Sequence, residues 1–162
     1  MIQLTENELG ILDAIAMQLQ VDTDDLFKLI KFESKWNPQA KNPFSSARGL
    51  IQFTDSTARA LGFENSLDLV NKNPTISDQL PIVKRYLDQF KPFANKQELY
   101  LSVFYPKWRK FKPSTPFPAS VIRVNPGINV IADYVNKVEG IAGNALATIA
   151  MIVTGFFFYI TF

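Results

Sequence analysis

From Gly140 to Phe162 the chain runs for 23 residues without a formal charge. At about 1.5 Å per residue a helix of that length covers the roughly 30 Å hydrocarbon core of a bilayer. This run predicts a single transmembrane helix at the C-terminus. Phe156, Phe157, Phe158 and Tyr159 near its end fit an interfacial aromatic belt, while Asn144, Thr148 and Gly155 dilute its apolar character. The competing reading is a buried core helix, which would need almost the whole of a small domain wrapped around it. Lys137 and Glu139 beside the run cancel, so they set no orientation. At the other end Met1 to Leu9 carries Glu6 and Glu8 and has no basic region followed by an apolar core, so it does not read as a secretory signal.

What precedes the run suits one domain of ordinary size. The 17 basic and 15 acidic side chains leave a net charge of +2, too small for the one-sided basic surface that nucleic acid requires. The 162 residues include no His and no Cys. That excludes a Ser-His-Asp triad, a thiol nucleophile, a zinc finger and a His-ligated catalytic metal. Chemistry must then run on carboxylates, hydroxyls, amides, Lys and Arg, and neither a metal nor an organic cofactor is expected.

Thr5 followed by Glu8 is a capping-box spacing, and Leu9, Leu12, Ile15, Ala16 and Leu19 recur at helical intervals, which predicts a first helix. A second starts at Asp22 or Thr23, with acids in its first turn, and runs to about Lys35. After Trp36-Asn37-Pro38 an ordered loop extends to Arg48. Thr54 then caps a short helix ending near Gly62. Further helices are predicted over 66–72, 77–90, with Leu80, Val83, Leu87 and Phe90 as its buried face, and 95–104. From Tyr105 to Pro126 five prolines argue against helix, and only 121–124 reads as extended. The segmentation is therefore a domain over 1–126, a connecting helix over 127–139 and the transmembrane helix over 140–162.

Within the second helix Leu26, Ile30 and Glu33 share one face, with Lys28, Lys31 and Lys35 on another. Glu33 thus prolongs an apolar stripe beside Trp36. A carboxyl so placed loses solvation, its pKa rises, and it becomes a general acid. Taken alone this is weak, because a Glu at a helix end is most often solvated or ion-paired.

The surrounding residues sharpen it. Glu33-Ser34, Trp36-Asn37-Pro38, Ala40, Ala47-Arg48-Gly49-Leu50-Ile51-Gln52-Phe53, Thr57-Ala58 and Leu61-Gly62 keep an order and spacing that resembles the soluble lytic transglycosylases and their goose-type lysozyme relatives. The resemblance implies a mainly α, lysozyme-like domain with a cleft for the glycan strands of peptidoglycan. It implies Glu33 as the catalytic acid and base, with Ser34, Ile51 and Gln52 as substrate-binding neighbours. Structural roles stand beside these: Ser34 can close the helix, Gln52 can bond loop backbone, and Gly49 can simply permit a tight turn. Leu101-Ser102-Val103-Phe104-Tyr105-Pro106 occupies the place of the family's Ala-Tyr-Asn-Ala-Gly block, which implies that Tyr105 helps hold the catalytic carboxyl at the substrate site. Pro106 replaces that block's Asn, and Lys107-Trp108 its Ala-Gly. Phe-Tyr-Pro, with the later Asn125-Pro126-Gly127, looks more like the transglycosylase domains of bacteriophages.

Ordinary glycosidases use two carboxyls. Here Asp55, Glu64 and Asp78 read as caps and surface residues, leaving Glu33 alone. With one acid, Glu33 protonates the bond between N-acetylmuramic acid and N-acetylglucosamine and then takes the proton of the muramyl 6-hydroxyl, giving a 1,6-anhydro end. The leading expectation is a membrane-anchored, phage-encoded lytic transglycosylase for wall penetration or lysis. It would sit in a virion membrane or host envelope, with peptidoglycan, lipid and virion membrane or capsid proteins as partners. The alternatives are a goose-type muramidase in which Asp55 or Asp78 positions water, and a non-catalytic virion membrane or glycan-binding protein.

Overall fold

A computed structural model describes residues 4–140. The expected transmembrane helix lies, apart from Gly140, outside the described residues. Among those described, no helix is long and apolar enough to cross a membrane. Eight α-helices and two short 3₁₀ turns follow one another: α1 Glu6–Leu19, α2 Thr23–Ser34, α3 Asp55–Ala60, α4 Ser66–Lys72, α5 Ile76–Leu87 with a 3₁₀ turn Asp88–Phe90, α6 Lys96–Phe104 with a 3₁₀ turn Pro106–Trp108, α7 Ala119–Val124 and α8 Ile131–Val138. Only isolated β-bridges join the loops of the described chain, among them Lys41 with Arg48 and Arg48 with Phe53.

The helix starts follow local chemistry. Thr5 and Glu8 form the capping box of α1, Asp22 accepts from the Asp24 amide, Thr54 from Thr57, and Asn95 from Glu98. Each satisfies amides that the first helical turn leaves without partners, a contribution of about 1 kcal/mol. Thr75 and Asp78 form a second capping box and begin α5 at Ile76.

α2 is the central element and packs on α1, α6 and α8. Leu26, Leu29 and Ile30 are fully buried in it, each stabilising the fold by about 1.5–3 kcal/mol relative to exposure. Lys35 and Trp36 then take consecutive left-handed conformations, φ 55° and 64°. This reversal ends α2 and folds Trp36 back onto Phe27, ring centres 5.2 Å apart.

Two expectations are corrected. Phe90 is only partly buried: α5 ends at Leu87, and Phe90 lies in the following 3₁₀ turn, outside the helix whose stripe it is expected to continue. Residues 119–124 are helical rather than extended. Pro118 stands at the cap of that helix, where its fixed φ and missing amide cost nothing, and Val121 is buried. The segment 127–139 does more than connect, since Ile128, Ile131, Tyr134 and Val138 join the same core as α1, α2 and α6.

Candidate active site

Glu33 sits in the last turn of α2, on the stripe that Leu26 and Ile30 begin, and is 4% exposed. Its Oε1 accepts a 2.9 Å hydrogen bond from the hydroxyl of Tyr134. Oε2 takes no hydrogen bond from any described residue. One oxygen is thus fixed by protein and the other is left for a reacting group. Burial raises the pKa of Glu33 to about 7, and the Tyr134 bond, which favours the ionised form, opposes that rise. Near neutral pH the carboxyl exists in both protonation states, as an acid that later serves as base requires.

Tyr134 comes from α8, 101 residues along the chain from Glu33. Its ring stacks on Phe104 at 4.3 Å and meets Phe32 edge-on at 5.7 Å. Burial and the neighbouring Glu33 charge hold its hydroxyl well above the usual phenol range, so it stays protonated and donates. Tyr86 of α5 is raised for the same two reasons, and its hydroxyl donates to the Ser102 carbonyl at 2.7 Å. Among the described residues, no carboxylate stands beside burial and Tyr134 as a cause of the Glu33 shift.

The residues expected at the site divide. Ile51 and Gln52 line one recess together with Thr57, Tyr86, Val103 and Pro106; Glu33 is not among the residues that line it, and its charge is felt by the Tyr86 hydroxyl. Gln52 holds a left-handed backbone, φ 55°, and its Nε2 donates to the Gly49 carbonyl at 3.0 Å. Its Oε1 is buried with no hydrogen-bond partner among the described residues. One end of the amide therefore braces the loop, and the other is an acceptor lacking a donor. Ser34 is 2% exposed, and its hydroxyl donates to the Ile30 carbonyl at 3.1 Å. That is the helix-closing role.

Tyr105 does not reach the carboxyl. Its ring packs edge-on against Trp108 at 5.3 Å and Phe117 at 5.8 Å, and its hydroxyl makes no hydrogen bond with a described residue. The tyrosine that holds Glu33 is Tyr134. The physical reason is direction: Tyr105 caps the end of α6 at φ −149°, where the chain turns into the 3₁₀ segment and carries the side chain toward the aromatic cluster. A sequence signal for Tyr134 exists in the buried stripe Ile131, Tyr134, Val138, in which the phenol interrupts apolar residues as Glu33 does in α2.

The loop before the site is fastened by Gln79, fully buried on α5. Its Oε1 accepts from the Leu50 amide at 2.9 Å, and its Nε2 donates to the carbonyls of Pro38 at 2.7 Å and Asn73 at 2.8 Å. Gly49, at φ +76°, lies so close that a Cβ there would stand 2.6 Å from Gln79 Oε1. Here the glycine answers both to its backbone angle and to the approach of the amide.

Asp55 and Asp78 are bound elsewhere. Asp55 Oδ1 accepts from the Ser66 amide at 3.0 Å and the Ser66 hydroxyl at 2.8 Å, bonds that hold its pKa below the ordinary range. Asp78 closes the exposed capping box with Thr75. Both serve helix starts.

The chain matches no curated protein and no solved structure. Its match is to a family model, the transglycosylase SLT domain, over residues 11–90, a span that includes Glu33, Gly49, Ile51, Gln52 and Gln79. With its helical architecture and buried acid at the end of α2, the chain carries over residues 11–90 a domain of the soluble lytic transglycosylase family, which acts on peptidoglycan.

Proposed function

We propose that the protein cleaves the β-1,4 bond between N-acetylmuramic acid and N-acetylglucosamine without water, leaving 1,6-anhydromuramic ends. The observation that carries this reading is the lone carboxyl. Glu33 is buried, has a pKa raised to about 7, is held by Tyr134 at one oxygen and takes no hydrogen bond from a described residue at the other, and no carboxylate stands among the causes of its shift. Protonated Glu33 gives its proton to the glycosidic oxygen as the C1–O bond breaks. The substrate's own acetamido group stabilises the cation that develops at C1. Ionised Glu33 then removes the proton of the muramyl 6-hydroxyl as that oxygen bonds to C1, and the acid is regenerated. Tyr134 orients the carboxyl and stabilises its charged form between the two steps.

A hydrolase would need a second carboxylate to position water, and the commitment of Asp55 and Asp78 to helix caps weighs against it. A purely structural role leaves unexplained why an acid is kept in an apolar stripe at a cost to stability. The uncharged run over 140–162 supports anchoring in a membrane, and the Phe104-Tyr105-Pro106 form of the motif supports a phage protein acting from a virion membrane or host envelope during wall penetration or lysis. Detection of the protein in purified virus particles tests that placement.

Mass spectrometry of muropeptides released from peptidoglycan by the purified protein, with Glu33→Gln in parallel, tests the chemistry. Anhydromuramic products that disappear in the variant are expected. Reducing muramic ends would replace the reading by hydrolysis, and no release by folded protein would replace it by a structural role.

A further inference from the structure

The basic side chains are not evenly spread. Residues 107–112 read Lys-Trp-Arg-Lys-Phe-Lys, four cations and two aromatics in six positions, whereas acids outnumber bases in the rest of the chain. This arm leaves the recess at Pro106 and runs back along α6. Gln97, in the first turn of α6, fixes it there: its Nε2 donates to the carbonyls of Arg109 at 3.2 Å and Phe111 at 2.8 Å. Arg109 is held by the Phe90 carbonyl at 2.7 Å and by Glu98 at 3.4 Å. Lys110 and Lys112 are exposed and form no ion pair with any described residue, and Phe111 is 48% exposed. Trp108 is partly buried, its ring stacked on Phe117 at 5.7 Å.

The residue beside Gln97 marks where the described chain ends. Lys96 bonds Glu139 at 3.0 Å, and the Tyr100 hydroxyl also donates to Glu139. The acids at this end are engaged, Asp24 with Lys28 at 2.6 Å and Asp25 with Lys96 at 3.8 Å and with the Tyr100 hydroxyl at 3.1 Å. One residue after Glu139 the uncharged run over 140–162 begins. The arm and the start of that run therefore share the N-terminal end of α6. Val103 and Pro106, at its other end, line the recess. A nine-residue helix separates the two ends by about 13 Å.

We propose that residues 107–112 form a docking surface for anionic phospholipid, with Lys110 and Lys112 engaging headgroups and Phe111 and Trp108 entering the interface. The surface seats this end of the domain on the bilayer and turns the recess away from it. Basic residues interleaved with Trp and Phe bind an anionic interface by charge attraction and shallow burial of the rings. The inference adds a lipid-specific contact to the proposed membrane anchorage and can fail separately from it.

The test uses the full chain with vesicles of phosphatidylcholine alone or mixed with phosphatidylglycerol, reading co-sedimentation and the quenching of Trp fluorescence by brominated lipid. Trp36 is 2% exposed and serves as the silent control for Trp108. Trp108 is expected to be quenched in the anionic vesicles only, an effect weakened by salt. Lys110→Gln/Lys112→Gln should lower the lipid-dependent affinity roughly 30-fold, about 5-fold per cation removed. Sedimentation without composition-dependent quenching would overturn the docking surface while leaving the anchor. Sedimentation only with anionic vesicles, lost in the double variant, would keep the surface and remove the anchor. No sedimentation with either would remove both. Protection of Trp108 by soluble anionic wall polymer, and not by vesicles, would reassign the arm to the wall and overturn the proposal.

Discussion

Replacing Glu33 by Gln is expected to stabilise the protein at neutral and alkaline pH while abolishing its activity. In the unfolded chain the carboxyl titrates near the ordinary value of 4.5, and in the fold burial raises it to about 7. Between those values the folded state holds the proton more tightly than the unfolded state does, so stability falls as pH rises through this window. Below it both states are protonated and the penalty is absent. Above it the penalty is complete, and a shift of this size corresponds to about 3 kcal/mol. Gln keeps the shape and can still accept from Tyr134 without ionising. Urea unfolding of wild type and Glu33→Gln at pH 4, 5.5, 7 and 8.5, followed by tryptophan fluorescence, should therefore show the variant gaining on wild type across the series by about 3 kcal/mol. Parallel stability curves would refute the raised carboxyl and with it the reasoning that assigns the acid role.

Tyr134→Phe removes the bond that favours ionised Glu33, so the alkaline limb of the rate profile should move above pH 7 while kcat/KM falls about tenfold or more from lost orientation. Tyr105→Phe, by contrast, should change the rate little, because its hydroxyl bonds no described residue and Tyr134 is the one that donates to Glu33, and kinetics of the two variants side by side distinguish them. Gly49→Ala combines a left-handed backbone with a Cβ 2.6 Å from Gln79 Oε1 and should cost about 2–4 kcal/mol in urea unfolding. Gln79→Leu strands the Leu50 amide and two carbonyls and should destabilise by about 3 kcal/mol or more, with loss of activity on partial unfolding of the loop.

The helix starts at Thr5, Asp22, Thr54 and Asn95 were legible in the sequence because a cap is a bond between residues two or three apart. Glu33 was legible for a related reason: the helical period alone puts it behind Leu26 and Ile30 on a face that must be buried. The family pattern around Gly49 to Phe53 was legible because it is contiguous. The α7 helix was not, since a run of prolines hides that Pro118 falls at a cap, where proline is tolerated.

What the sequence by itself determined is local: the order of the first six helices, their caps, and one carboxyl on an apolar stripe. Only the tertiary structure decided which tyrosine serves that carboxyl. Tyr105 lies in the expected segment, yet the turn after α6 directs it into an aromatic cluster, and Tyr134 arrives from α8 to donate to Oε1. The placement of Gln79 between Leu50 and Pro38 has the same origin. Both are bonds between segments far apart in the chain, formed because burial leaves each polar atom only the partners that packing brings to it.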